Sequence, residues 1–222
     1  MDKRLKKMNI LERLKAVIVS PSKLFNDIKK EDYKPTLIYY LVVVLGLGIF
    51  SSLITYATGK AQVELGNLVI SWITSIISMF IMAFFIGLVA SWFGGDRSWV
   101  QGLKAIVYPA SIFAIFGVLM AIAIAVVPSL ANLDFQDPQQ IMANLGALVG
   151  AAVGFGLIAL ALLVWVIILY VKGISISSKL SVGKAIGTLI IAGLLAAIVS
   201  GMLSWILLKI GLLKPVINAG LK

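Results

Sequence analysis

Five long apolar runs, separated by short polar segments, constrain this chain more than any other feature. Hydrocarbon offers no partner to free backbone amides and carbonyls, so an apolar run of about 20 residues crosses a membrane as a helix. Only 13% of the residues are charged, against about a quarter in soluble proteins. The sequence therefore predicts an all-α, polytopic membrane protein with a bundle of five transmembrane helices.

Three parts are expected along the chain. A cytoplasmic amphipathic segment covers 1–34, a five-span membrane domain covers 35–208, and a short extracytoplasmic tail covers 209–222. The spans are predicted at about 35–58, 65–93, 101–127, 142–171 and 182–208.

The N-terminal segment has the pattern of amphipathic helices that lie in the membrane interface. It carries more than half of the chain's 19 Lys and Arg residues. Its apolar side chains recur at helical spacing: Leu5, Met8, Leu11, Leu14 and Ile18. Ser20 and Pro21 are typical of a helix start, and they open a second short helix. Its apolar residues are expected to face lipid: Leu24, Phe25 and Ile28. The alternatives are a solvated tail or a helix packed on the bundle.

A polar hinge between the second and third spans reads GGDRSWVQGLKAIVYP. Ser98 and Gln101 have the spacing of a capping box that begins the third span, and Pro109 is expected to kink or break that helix. One interpretation of the hinge is a capped turn. The other is a cytoplasmic recognition loop formed by Gly94, Gly95, Asp96 and Arg97.

Small residues at four-residue spacing mark the last two spans. They are Gly146, Gly150 and Gly154 in the fourth span, and Gly193, Ala197 and Gly201 in the fifth. Such strips allow another helix to approach closely. Packing within the protomer is the preferred interpretation, and a seam between copies in a homo-oligomer is the alternative. Serine and threonine in the second span either bond between helices or line a narrow path: Ser71, Thr74, Ser75 and Ser78.

Basic residues set the expected orientation and lipid preference. They concentrate in the N-terminal segment and in the hinges before the third and fifth spans, so the N-terminus is expected in the cytoplasm and the C-terminus outside. Anionic lipid headgroups are the predicted partners of seven of them: Lys3, Arg4, Lys6, Lys7, Lys172, Lys179 and Lys184. The net charge of +10 is thereby assigned to membrane lipid, and nucleic acid is not an expected partner.

The residue inventory argues against catalysis. The chain has no cysteine and no histidine, which removes thiolate nucleophiles, imidazole bases and most metal ligation. The charged residues are expected to lie outside the apolar cores of the spans, which leaves no proton relay at the membrane centre. We therefore expect no catalytic residues, no metal, no cofactor and no enzymatic activity.

Three stretches together resemble the Ypt-interacting-protein family, whose members carry the five-span Yip domain. They are SPSKLFNDIKKEDYKPTLIYYL, GGDRSWVQGLKAIVYPASIF and WVIILYVKGISISSKLSVGKAIGTLII. The positions that match the family pattern are Gly94, Gly95, Tyr108, Ser181, Gly183 and Lys184. Eukaryotic members act in trafficking and contact small Rab-type GTPases and one another. The long cytosolic N-terminal region of those members is missing here, so the resemblance implies a prokaryotic relative.

Two functions follow from these observations. The first is a non-enzymatic membrane protein that organises the membrane or recruits membrane or cytosolic partners. The second is a small channel, a lipid-moving protein or an auxiliary subunit of a transporter. The expected location is a prokaryotic cell membrane, with the endoplasmic reticulum or Golgi as the alternative.

Overall fold

The computed structural model describes residues 8–57, 65–126, 139, 142 and 145–209. Lys3, Arg4, Lys6 and Lys7, and the tail after Lys209, lie outside the described residues. All regular secondary structure in the described residues is helical. Five helical stretches are long and apolar enough to cross a membrane, so the predicted all-α, five-span fold is confirmed.

Eight α-helices and one π-helical segment are described. They are α1 (Ile10–Val19), α2 (Pro21–Ile28), α3 (Tyr33–Tyr39), the π-helical segment (Tyr40–Leu45), α4 (Gly46–Ala57), α5 (Leu65–Trp92), α6 (Trp99–Val126), α7 (Leu145–Ser178) and α8 (Val182–Lys209). The first span consists of α3, the π-helical segment and α4, and the other four spans are α5 to α8.

Helix α6 is the centre of the bundle. It packs against α4, α5, α7, the first turns of the first span, and the N-terminal helices α1 and α2. The most hydrophobic part of α6 is 44% buried, whereas the corresponding parts of the other four spans are between 11% and 33% buried. Because lipid is as apolar as these side chains, close packing rather than hydrophobicity distinguishes the central helix.

Glycines allow α5 and α6 to approach closely. A side-chain carbon at Gly102 of α6 would clash with the backbone carbonyl of Ala83 in α5. At Gly87 of α5, the same carbon would lie 2.9 Å from the backbone of Ser98. At both positions the backbones of α5 and α6 are too close to admit a side chain.

The loop between α5 and α6 packs on the turn between α7 and α8. Gly94 has a φ of +82°, and the amide of Gly95 bonds to the carbonyl of Ala90, which ends α5 in a left-handed cap. Lys179 has a φ of +58° and ends α7 in the same way. The Asp96 amide donates to the Ser178 carbonyl at 3.1 Å and joins the two turns.

Helices α1 and α2 form an N-terminal helix pair on this same end of the bundle, which we call the N-terminal face. Asn9 and Glu12 form a complete capping box at the start of α1. Pro21 begins α2 as predicted, but the Ser20 side chain makes no capping bond. The predicted capping box at Ser98 is half formed, because the Gln101 side chain donates instead to the Lys29 carbonyl.

The expectation that the apolar side of α2 faces lipid is wrong. Leu24, Phe25 and Ile28 are completely or almost completely buried, because α2 packs against α7 and α6. In a membrane protein, an apolar helix face suits lipid and protein equally well, so its pattern does not identify its neighbour.

The small-residue strips do not mediate helix contacts in the described structure. No atom outside the helix backbone lies within 4 Å of the side-chain position at Gly146, Gly150, Gly154, Gly193 or Gly201, and Ala197 is exposed. The preferred interpretation, packing within the protomer, therefore does not hold there. The homo-oligomer seam stays a prediction.

Pro109 lies within α6, which continues through it as one helix. It therefore does not break the span, although it has no amide hydrogen to donate to the preceding turn. The predicted kink stays a prediction.

We expect Gly102→Ala to destabilise the bundle, because overpacking at the Ala83 carbonyl forces the backbones of α5 and α6 apart. The expected loss is about 1–3 kcal/mol in an SDS-unfolding titration of the micellar protein. Gly156→Ala is the matched control, since its side-chain position is open and alanine favours a helix by up to about 1 kcal/mol. Equal stability of the two variants would contradict the close approach.

Candidate functional site

The N-terminal helix pair is set into the bundle rather than resting on its end. The ring of Phe25 lies over Gly173 of α7, where a side-chain carbon would come within 2.9 Å of the ring. Ile18 at the end of α1 lines a groove with Phe116 of α6 and Trp165 of α7. Phe116 and Trp165 lie roughly 20 Å or more along their helices from the N-terminal face, because each residue of an α-helix adds 1.5 Å. Ile18 therefore lies beside the apolar part of the two spans.

Arg13 anchors this pair from α1. Its side chain is 3% exposed, and Nη2 donates to both carboxylate oxygens of Glu31 at 2.8 Å. Nη1 donates to the Tyr108 hydroxyl at 2.6 Å, and Nε donates to the Met8 carbonyl at 3.1 Å. One guanidinium thus connects α1, the turn after α2, and α6.

The environment keeps Arg13 charged. Burial acts to lower the pKa of Arg13, but its electrostatic interactions and hydrogen bonds with Tyr108 and Glu31 outweigh burial and raise the pKa above its ordinary value. A buried guanidinium without a partner would be strongly destabilising, so the ion pair with Glu31 is a condition for this arrangement.

Lys104 provides a second buried cation. Its side chain is 0% exposed, and Nζ donates to the backbone carbonyls of Lys29 at 3.2 Å and Glu31 at 2.5 Å. Gln101, one turn earlier, donates to the same Lys29 carbonyl. These carbonyls follow α2 directly, so α6 caps that helix from outside and places a positive charge at its negative end.

The burial of Lys104 corrects a prediction. Charged residues were expected outside the apolar cores, yet Lys104 lies inside the third span and is fully buried there. The loop carbonyls after α2 solvate its ammonium group in place of water.

Tyr108 completes the cluster on the aromatic side. Its ring centroid lies 4.7 Å from that of Tyr39 and 6.3 Å from that of Phe25, the latter edge to face. Its hydroxyl is also 3.5 Å from the hydroxyl of Thr36. Tyr108 therefore contacts α1, α2 and the first span at once, which gives a structural role to a position that matches the family pattern.

The proposed recognition loop is largely occupied by structural contacts. Gly95 packs against the Ser178 carbonyl, and Asp96 forms an exposed ion pair with Lys179 at 2.9 Å. Gly94 supplies the left-handed cap. Arg97 is exposed and has no hydrogen bond or ion pair within the described chain, so it is the part of the loop that is open to a partner.

The three described lysines of the predicted lipid site differ in their surroundings. Lys179 pairs with Asp96, and Lys184 donates to the Phe93 carbonyl at 3.0 Å. Lys172 is exposed and has no such partner among the described residues. Lys15 and Lys23 on the helix pair are also exposed and have no partner among the described residues, although they were not among the predicted lipid contacts. Whether any of them binds lipid stays a prediction.

The cluster formed by Arg13, Glu31, Lys104 and Tyr108 was not predicted from the sequence. One signal was present, because Lys104 and Tyr108 are four residues apart and so share a face at the start of an apolar span. The described residues contain no group of three or more His, Cys, Asp or Glu side chains that could hold a metal ion. The cluster joins structural elements, and its Glu31 also lines a groove along α1 and α2.

We expect Glu31→Gln to lower the free energy of unfolding by about 3 kcal/mol, because it leaves the Arg13 guanidinium buried without a counter-charge. Asp96→Asn, which breaks the exposed pair with Lys179, is the matched control and should cost less than about 1 kcal/mol. Both are measured by SDS-unfolding titration of the micellar protein. A Glu31→Gln variant as stable as Asp96→Asn would show that the buried pair does not hold the helix pair in place.

A match to one known protein family covers most of the chain. The sequence model described as the Yip1 domain matches residues 15–207, which includes all five spans and, from the buried cluster, Glu31, Lys104 and Tyr108 but not Arg13. No curated protein and no solved structure matches the chain. The match begins within α1, so part of the N-terminal helix pair lies inside the matched region. Because the match covers most of the chain and includes its five membrane helices, the chain belongs to the Yip1 domain family.

Proposed function

We propose that this protein is a non-enzymatic organiser of the membrane, which inserts its N-terminal helix pair into one leaflet and so favours curvature. The observation that carries the proposal is the one-sided position of that pair. Helices α1 and α2 contact Lys104 and Tyr108 of α6 and Gly173 of α7 near the N-terminal face, and the groove at Ile18 lies deeper. They add helical volume to one end of the bundle. Volume added to one leaflet expands it, so the bilayer curves with that leaflet on its convex side.

The exposed side of α1 has the composition of a membrane-inserting surface. Leu11 is 75% exposed, and Ile18 and Val19 are exposed as well. Lys15 and Lys23 are exposed beside them, and their long aliphatic stems can lie along apolar surface while the ammonium groups reach lipid phosphates. This combination supports insertion at the level of the headgroups and upper acyl chains.

The buried cluster supports the same proposal mechanically. An amphipathic helix on a flexible tether shifts freely between water and membrane. Here, Arg13 and Lys104 fix the helix pair to α6, so that insertion follows from the fold of the bundle. Orientation by the positive charges would place this face in the cytoplasm, with anionic lipid as its surface partner.

A protein partner could also be recruited at the N-terminal face. Arg97 and Lys172 are exposed and unpaired within the described chain, and both lie on hinges of the N-terminal face. A partner with acidic side chains would suit them. A channel is less favoured, because the cavity between the spans has no charged residue in its described lining.

The proposal predicts that the full-length protein deforms vesicles of mixed phosphatidylglycerol and phosphatidylcholine into tubules, seen by electron microscopy at matched protein density. The double variant Leu11→Ser, Val19→Ser should reduce tubulation without lowering stability, because both side chains are largely exposed. Lys15→Gln with Lys23→Gln should reduce it only when anionic lipid is present.

Val182→Ser with Ile186→Ser is the matched control, since these residues are similarly exposed at the start of α8 but lie outside the helix pair. This control should tubulate vesicles like the unmodified protein. Vesicles that stay spherical with the unmodified protein, or equal tubulation by all three double variants, would overturn the proposal.

A further inference from the structure

A cavity of about 390 Å³ lies between the spans and is lined by residues from all five of them. This volume falls within the range of about 300–1,000 Å³ that is usual for small-molecule sites. Its polar side chains come from three spans: Tyr40 from the first, Ser75 and Ser78 from α5, and Tyr170 from α7; Ala110 of α6 also lines the cavity. Methionine, isoleucine, leucine and valine side chains form the rest of the wall. The cavity is therefore mostly apolar, with hydroxyl groups at a few positions.

These hydroxyl groups are only partly satisfied. Tyr40 and Ser75 share one hydrogen bond of 3.2 Å, which uses one of their two hydroxyl hydrogens. Ser78 and Tyr170 make no hydrogen bond within the described part of the chain. A hydroxyl group without a partner is costly inside a membrane, so these donors call for an acceptor from a bound molecule.

Regular α-helical hydrogen bonding is interrupted on two walls of the cavity. Tyr40 and Val44 belong to the π-helical segment, and such segments occur frequently at functional sites. Ala110 on the opposite helix follows Pro109, which has no amide hydrogen to donate. Both irregularities occur where residues line the cavity, which is the pattern of a built site rather than of a packing defect.

Charge decides which class of molecule fits. The described lining contains no Lys, Arg, Asp or Glu, so a phosphate or ammonium group would lose its hydration without gaining a counter-charge. Hydroxyl donors suit ester carbonyl oxygens, and the methionine and aliphatic wall suits a hydrocarbon chain. We infer that the cavity binds an uncharged glycerolipid of the diacylglycerol type, whose ester carbonyls accept hydrogen bonds from Tyr40, Ser78 and Tyr170.

The test is photo-crosslinking of the full-length protein in phosphatidylcholine vesicles. The probe is diacylglycerol with a diazirine near the ester end of one chain, and labelled peptides are mapped by mass spectrometry. Label is expected in the segments around Ser78 and Ala110, and unlabelled diacylglycerol should compete with it. A phosphatidylglycerol probe with the same acyl chain should label these segments at least about tenfold less, since its charged headgroup is excluded.

Two kinds of variant connect the label to the cavity. Ala110→Phe fills the space and should abolish competable label, while Tyr40→Phe with Ser78→Ala keeps the shape and should weaken probe affinity about fivefold. Ser204→Ala, which removes a hydroxyl that bonds to the Ser200 carbonyl in α8, should change nothing. The inference is overturned by label that unlabelled lipid does not displace, by equal labelling with phosphatidylglycerol, or by hydroxyl variants that bind like the unmodified protein. It does not depend on membrane bending.

Discussion

The burial of the Arg13 guanidinium is the constraint on which the N-terminal face depends. A charge removed from water needs a counter-charge and hydrogen-bond acceptors close by, and here Glu31, Tyr108 and the Met8 carbonyl supply them. These groups come from three separate parts of the chain. The charge is satisfied only when α1, the turn after α2 and α6 are assembled together, so the ion pair specifies this arrangement over a looser one.

Lys104 extends the same logic to the second N-terminal helix. With eight residues, α2 is too short to be stable alone, and its terminal carbonyls need donors that water would otherwise provide. Lys104 and Gln101 provide them from α6, while Phe25 fills the space over Gly173. Polar contacts from α6 and shape complementarity with α7 therefore act on the same helix.

This organisation links the fold to both proposals. The N-terminal half of α6 holds the helix pair through Lys104 and Tyr108, and the same part of α6 lines the cavity between the spans with Ile106, Val107 and Ala110. A membrane-facing wedge and a lipid-sized cavity thus share one helix. Each can fail independently, because the wedge depends on the exposed side chains of α1 and the cavity depends on the hydroxyl groups of Tyr40 and Ser78.

The sequence predicted the number and nature of the spans because an uncharged apolar run has only one way to satisfy its backbone in a membrane. It also predicted Pro21 at a helix start, where the proline ring restricts the local geometry. It did not predict which neighbour covers an apolar face, and so it assigned Phe25 to lipid. It identified the small residues around Gly150 as a contact strip, although spacing alone supplies no partner helix.

The cluster was missed for a related reason. Arg13, Glu31 and Lys104 look like ordinary interfacial charges until the fold brings them to one point. Gln101 is a second example. Its side chain was predicted to complete a local capping box, but it donates instead to the carbonyl of Lys29, which follows α2. Local patterns specify what a residue can do, whereas the tertiary neighbours decide which of those bonds is made.

Amide hydrogen exchange of the full-length protein in lipid nanodiscs tests the central claim most directly. If the buried cluster fixes the helix pair to the bundle, amides from Arg13 to Ile28 should exchange nearly as slowly as those of α6, and Glu31→Gln should release that segment while α6 stays protected. Fast exchange across Arg13–Ile28 in the unmodified protein, or protection that Glu31→Gln leaves unchanged, would contradict the account.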